Sequence, residues 1–177
     1  MKNSYEIRGD TTAIFIWRKG EKYECLIDTE DLEKLDGFTS TFHLDPAKNT
    51  NYVHGHITNN FVRTVYRLHR IIVNAPAHLQ VDHINHNGMD NRKCNLRLAT
   101  DAENMQNAKL SRSNSSGTKG VSWDKSKGSY RAYIGLNYKL INLGDYKNID
   151  LAISARKEAE LLYHPYNNPE SDNYKAA

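Results

Sequence analysis

Residues 80–110 read QVDHINHNGMDNRKCNLRLATDAENMQNAKL, and the order of residue types here sets the expected architecture. Val81 and Ile84 flank Asp82-His83, which places the pair in a short β-prone run. Asn85, Asn87, Gly88, Asp90 and Asn91 follow as a polar loop. Asn95-Leu96-Arg97-Leu98-Ala99 reads as a second strand. Thr100-Asp101-Ala102-Glu103 then matches a capping box, with Thr100 as N-cap and Glu103 reaching back to it. A helix is expected from there to about Leu110. The pattern is strand, loop, strand, helix, with the Asp-His pair on the first strand and Asn104 on the helix facing it. Asp and Asn oxygens suit a hard divalent ion such as Mg²⁺ better than zinc. A neutral imidazole beside such an ion can take a proton from water near pH 7. A metal plus a histidine base is the minimum equipment for phosphodiester hydrolysis.

Upstream, Ala13-Ile14-Phe15-Ile16-Trp17 and Lys22 to Ile27 read as strands about the turn Arg18-Lys19-Gly20-Glu21. Asp28 or Thr29 can cap a short helix after them. Gly37 to Ile57 is expected to form a further pair of strands around Pro46-Ala47-Lys48-Asn49. Residues 1–50 carry no evident chemistry and are assigned a packing or accessory DNA-contact role. Thr64 to Asn74 places Val65, Leu68 and Ile72 at spacings three and four, which predicts a short helix with Arg63, Arg67 and Arg70 on its basic face.

Downstream, Ser111 to Gly120 reads as a flexible cationic linker. Gly120 to Asp124, Tyr130 to Leu136 and Leu140 to Gly144 read as three strands. Period two puts Val121, Trp123, Ala132, Ile134, Ile141 and Leu143 on one face, with Ser122, Asp124, Arg131, Tyr133 and Asn142 on the other. A helix over about Ile149 to Tyr163 carries Ala152, Ala155, Ala159 and Leu162, small enough to lie close against the apolar face. The opposite face is then polar and basic.

The chain has 177 residues, is 38% hydrophobic and carries a net charge of +3. That balance is uneven: residues 1–50 sum to −3, 51–116 to +4, 117–149 to +4 and 150–177 to −2. Two consecutive basic stretches are the footprint expected of a polyanion-binding surface. No apolar run approaches the roughly 18–20 residues of a membrane span, so no membrane partner is expected. Cys25 and Cys94 are too few for a disulfide framework or a structural zinc site. A cytoplasmic protein is the expectation.

Asp82-His83, Asn95-Leu96-Arg97 and Glu103-Asn104 together resemble the HNH nuclease family, closest to the group found in phage and intron-encoded homing endonucleases. Asn, not His, stands at the third named position, as in that subgroup. The resemblance implies an α+β fold: a ββα-metal module followed by a three-stranded antiparallel sheet packed on one helix. It implies Asp82 and Asn104 as ligands of one Mg²⁺ or Mn²⁺ ion, His83 as general base, and Asn95 as the brace that orients His83. Asn107, one turn on, could substitute for Asn104. It also implies cleavage that leaves a 5′-phosphate and a 3′-hydroxyl. His69 is assigned to packing or phosphate contact, His54, His56, His78 and His86 to the surface, and Asn91 to the loop. Arg92 and Arg97 could touch phosphate.

Residues 117–165 resemble an APETALA-type (ethylene-response-factor-like) DNA-binding domain through Gly120-Val121, Tyr130-Arg131-Ala132, Leu143-Gly144 and the Ala-rich helix. In that family the sheet enters the major groove. The resemblance gives Ser122, Lys125, Lys127, Arg131, Tyr133, Lys139 and Asn142 as DNA contacts, beside Arg97. The expected organisation is 1–50 β-rich, 51–110 nuclease module, 111–119 linker, 120–165 DNA-binding domain and 166–177 polar tail. Together these expectations describe a monomeric, site-specific endonuclease acting on double-stranded DNA and nicking it. The alternatives are an inactive DNA-binding regulator and a restriction-type nuclease.

Overall fold

The computed structural model describes residues 1–38, 41–47, 50–59, 61–106, 110–111, 113–136 and 138–164, apart from the side chain of Asn59. The expected end of the second helix, the substitute ligand Asn107 and the polar tail lie outside the described residues, as do two residues of the Pro46–Asn49 turn. The chain divides into two compact units, one over Met1–Thr100 and one that begins at Asp101.

The first unit holds β1 (Tyr5–Arg8), β2 (Thr11–Arg18) and β3 (Glu21–Asp28) in one antiparallel sheet. Lys19 and Gly20 turn β2 into β3 with φ of 50° and 84°, the pair of left-handed residues that matches strand twist in a two-residue hairpin. A 3₁₀ turn over Thr29–Leu35 leads on to β4 (His43–Pro46), β5 (Asn51–Asn59) and β6 (Val62–Arg67), a second sheet. The short helix α1 (Leu68–Ile72) follows, then the pair β7 (Gln80–His83) and β8 (Leu96–Ala99). Ile14, Ile16, Cys25, Ile27, Val53, Leu68, Ile72 and Leu96 lie in one buried cluster, so both larger sheets, α1 and β8 share a core.

The second unit holds α2 (Asp101–Gln106), the sheet of β9 (Val121–Asp124), β10 (Ser129–Leu136) and β11 (Lys139–Tyr146), and α3 (Ile149–Tyr163). Asn148 caps α3 by accepting from the Asp150 N–H at 2.6 Å. Ala152 is buried against Val121 and Ala132. Residues 113–121 are tied by side-chain bonds, among them Ser116 Oγ to the Val121 carbonyl at 2.7 Å and Asn114 Nδ2 to the Thr118 carbonyl at 2.9 Å.

This architecture corrects the expected α+β arrangement of a ββα-metal module followed by one helix-packed sheet. The described residues are mostly β, with eleven strands in four small antiparallel sheets. Two of those sheets precede the Asp82 stretch, and the β7–β8 pair is only four residues long on each side. The expected helix over Thr64–Asn74 is helical only in its middle, since Thr64–Arg67 belongs to β6. Val62, Thr64, Val65 and Tyr66 are β-branched or aromatic and pair with β5 as far as Arg67, so only Leu68–Ile72 turns helical. In α3, Leu162 is exposed and Arg156 occupies the buried stripe between Ala152 and Ala159. Trp123, placed on the apolar face by period two, is 44% exposed and sits edge-on to Tyr130. A bulge shifts the register after Ala132, so Tyr133 faces Asn142 while Ala132 faces Gly144. No helix among the described residues is long and apolar enough to cross a membrane.

Candidate active site

Antiparallel pairing puts Asp82 directly opposite Arg97. Arg97 donates to Asp82 Oδ2 from Nε at 3.2 Å and from Nη2 at 3.0 Å. Both are buried, and Arg97 is 2% exposed. The guanidinium expected at DNA is therefore an interior partner of the carboxylate.

His83, the next residue on β7, is also buried. Its ring centroid lies 5.2 Å from that of His69, edge-on, and 5.8 Å from that of Tyr52. Its Nε2 lies 3.2 Å from Asn91 Oδ1. The amide of Asn91 is oriented from its other end, where Nδ2 donates to Cys25 Sγ at 3.1 Å and to the Gly88 carbonyl at 3.3 Å. With Oδ1 so aimed, Nε2 of His83 carries the hydrogen and Nδ1 keeps the lone pair. Burial pushes the His83 pKa below the ordinary histidine value, against the upward pull of Asn91, Asp82 and Asp90. The imidazole is thus held neutral, in one tautomer, with Nδ1 as its basic atom.

Asn95 holds the loop between β7 and β8 at both ends. Its Oδ1 accepts from the Asn85 N–H at 2.9 Å, and its Nδ2 donates to the Asp90 carbonyl at 2.7 Å. The N-terminal sheet clamps the same loop: Asn91 N–H donates to the Leu26 carbonyl at 2.7 Å and Leu26 N–H to the Met89 carbonyl at 2.8 Å. Asp28 Oδ2 accepts from the Lys93 N–H at 2.7 Å. Residues 1–50, read from sequence as carrying no chemistry, therefore position the loop that orients His83.

His69, in α1, is 4% exposed, and its Nδ1 is buried without a hydrogen-bond partner. Burial, then the charges of His83, Arg67 and Arg70, bring its pKa down to about 3. Asn91, His69, Tyr52 and Cys25 are the members of this cluster that sequence reasoning did not assign to it. His69 and Asn91 had a signal in their nearness to the motif. Tyr52 and Cys25 had none, because only sheet packing brings them there.

Asn104 lies in the first turn of α2, exposed, in the second unit. Among the described residues, no group of three or more His, Cys, Asp or Glu side chains is placed to hold a metal ion. The set implied by the resemblance is different in kind, one carboxylate and one amide oxygen. Oxygen donors of that type suit a hard ion that keeps several of its waters, as Mg²⁺ does, but Asp82 Oδ2 already accepts from Arg97 and Asn104 belongs to the other unit.

On the second unit, Arg131 donates to Asp124 Oδ2 at 2.7 Å and to Asp145 Oδ1 at 3.1 Å, and Lys127 pairs with Asp145. Ser122 faces Arg131 across the sheet. Asn142 is exposed, its Oδ1 accepting from the Gly144 N–H at 3.1 Å. Lys125 and Lys139 are exposed and Tyr133 is half-buried. The polar face is thus present, with two of its cations matched by two aspartates.

No family model matches the chain, and no solved structure does. Over 59 residues it is 41% identical to Protein 3.8 of Escherichia phage T7, a stretch that is 33% of this chain and 49% of that protein. The chain thus spans about half the length of the curated relative it matches.

Proposed function

We propose that this chain is a metal-dependent, homing-type endonuclease of the HNH kind acting on double-stranded DNA, with His83 as general base. The observation that carries the reading is the buried Asp82-His83 pair, with the imidazole held through Nε2 by Asn91. In the reaction, water attacks the phosphorus and passes its proton to Nδ1, while the 3′-oxygen departs and is protonated from solvent. The products are a 5′-phosphate and a 3′-hydroxyl. Asn95 and Asn91 hold the loop and ring, so the base does not have to be oriented at the moment of reaction. Asp82 is the carboxylate that would hold Mg²⁺ or Mn²⁺, which when bound would supply positive charge against the phosphate oxygens. The DNA contacts fall to the basic second unit.

A supercoiled plasmid assay tests the reading. The wild-type chain nicks in Mg²⁺ or Mn²⁺ and stops with EDTA. His83→Ala loses about 10²–10⁴-fold in rate while retaining gel-shift affinity and the wild-type circular dichroism spectrum. Cleavage by that variant at the wild-type rate removes His83 as base. The buried guanidinium on Asp82 favours a second reading, an inactive DNA-binding regulator; wild-type protein that binds but leaves the plasmid intact in either metal selects it.

A further inference from the structure

In the sheet β4–β5–β6, β6 (Val62–Arg67) is outermost and all six of its residues are exposed. Val62 is 65% exposed and Val65 57%, and Phe61, at the turn before them, lies wholly in solvent. Alternate residues of such a strand turn N–H and C=O away from β5, and among the described residues no strand lies beyond to take them. An edge of this kind is a template for pairing, and native sheets guard against it. The other edge of the same sheet is well guarded: β4 is four residues long, buries Leu44 and ends in Pro46, which has no N–H to give. On β6 the guard is the charge of Arg63 and Arg67, and those two residues decide the register it admits.

Pairing with β5 sets Val62, Thr64 and Tyr66 on one face of the sheet and Arg63, Val65 and Arg67 on the other. Two identical edges that close on each other are related by a two-fold axis. With that axis perpendicular to the sheet, each face runs on into the same face of the partner, so the strands are antiparallel and the axis falls on a residue. Centred on Thr64, Val62 opposes the partner's Tyr66, Arg63 opposes the partner's Val65, and Thr64 opposes itself. A β-branched residue against an aromatic, and Thr against Thr, are favourable cross-strand pairs. Arg63 then meets the partner's arginines only on the diagonal, about 7–8 Å away. Moving the axis one residue either way sets Arg63 directly against the partner's Arg63 or Arg67, and like charges so placed are destabilising. The strand is thus complementary to itself in that register. A second copy brings the matching pattern with it, whereas the edge of another protein would have to reproduce it.

We propose that the chain forms a two-fold dimer by pairing β6 with β6 of a second copy, centred on Thr64, so that two three-stranded sheets become one of six. Arg63 and Arg67 of both copies then share one face with His54 and His56. Two six-residue edges make a small interface, so the association is micromolar rather than nanomolar. Pairing through β6 is independent of the nuclease reading.

Sedimentation of the full chain over a concentration series tests it, with a monomer–dimer equilibrium expected in the micromolar range. Val65→Lys sets a second cation against the partner's Arg63 and weakens the dimer at least about fivefold, while Val65→Glu sets an anion there and tightens it at least about twofold. Circular dichroism checks that both variants keep the wild-type fold. Cross-linking tests the register directly, in a Cys94→Ser background that removes the exposed thiol. Directly opposed Cα atoms lie about 4.5–5.5 Å apart, within disulfide reach, so oxidised Thr64→Cys gives a covalent dimer. Val62→Cys does not, because its two copies are four residues out of register. A chain that stays monomeric up to millimolar concentration overturns the proposal, as does a shift of the same sign in both Val65 variants or equal cross-linking of Val62→Cys. A monomer in which the Val65 variants change only the affinity for duplex DNA also overturns it and gives the strand to DNA instead.

Discussion

Arg97 and Arg131 both sit on short antiparallel strands, both face an aspartate, and both look from sequence like DNA contacts. Their surroundings separate them. Arg97 is 2% exposed and makes two bonds to one buried carboxylate. Arg131 has a side chain 39% exposed and divides itself between Asp124 and Asp145, neither of them buried. In the first unit a charge pair is part of the interior and cannot leave it cheaply. In the second, the pairing competes with water and can be exchanged for another anion. Residue type alone carries neither fact; depth does.

The largest expected effect comes from breaking the buried pair. Arg97→Leu leaves the Asp82 carboxylate desolvated and unpaired, at a cost of about 3–5 kcal/mol. Asp82→Leu combined with Arg97→Leu regains most of that loss, because the desolvation of both ions disappears with them. Trp17 lies in the first unit and Trp123 in the second, so urea unfolding of Trp17→Phe and Trp123→Phe backgrounds reports each unit separately. Loss confined to the Trp17 signal sharpens the contrast. A single variant that costs under about 1 kcal/mol would mean that water reaches the pair.

The second effect is acid sensitivity. His69 has a folded pKa of about 3 against 6.5 unperturbed, with burial first and then His83, Arg67 and Arg70 disfavouring its charge. Between those values the unfolded chain binds a proton there that the folded chain does not. Stability is therefore complete above about pH 6.5 and falls as the pH drops toward 3, by up to about 1.4 kcal/mol per pH unit. His83 is shifted in the same direction and adds to the slope. In the second unit, His164 is lowered by burial but keeps a carbonyl partner in Gly135, which pulls the other way. The Trp17 transition is expected to precede the Trp123 transition in an acid titration, and His69→Phe to flatten the first. An unaltered slope in that variant would assign the acid response elsewhere.

What sequence reveals of this molecule follows the range of the interactions that fix it. The strands Thr11–Arg18 and Glu21–Asp28 and the helix Ile149–Tyr163 are legible because alternation, a Lys-Gly turn and the spacing of Ala152, Ala155 and Ala159 all lie within a few residues of what they specify. Val62–Arg67 misleads because Val65, Leu68 and Ile72 satisfy helical spacing while the β5 edge beside them offers a full ladder. At the candidate site, Asp82, His83 and Asn95 are legible from spacing. Asn91 is not, because the Cys25 contact that aims its amide spans 66 residues of chain. The pairing of Arg97 with Asp82 is hidden for a related reason: it depends on a strand register, and a shift of one residue would turn both side chains to the other face.

The smallest expected change in stability belongs to Arg131→Ala. Its partners lie at the surface, and exposed ion pairs contribute little once side-chain entropy and salt screening are counted. The Trp123 unfolding midpoint should stay at the wild-type value, which is the sharpest contrast with Arg97→Leu. If the sheet face of the second unit binds DNA, the same variant weakens binding by roughly tenfold, because phosphate or a base edge then replaces Asp124 and Asp145 as the arginine's partner. The two cases differ in salt dependence. Loss of a phosphate contact lowers the slope of log K against log salt by about 1. Loss of a base contact leaves the slope in place and relaxes sequence preference. Asp145→Asn offers the complementary measurement, since freeing Arg131 and Lys127 from a competing carboxylate should strengthen DNA binding without moving the Trp123 midpoint. An Arg131→Ala variant that unfolds early yet binds DNA unchanged would place Arg131 with Arg97, as an arginine that holds its own unit together.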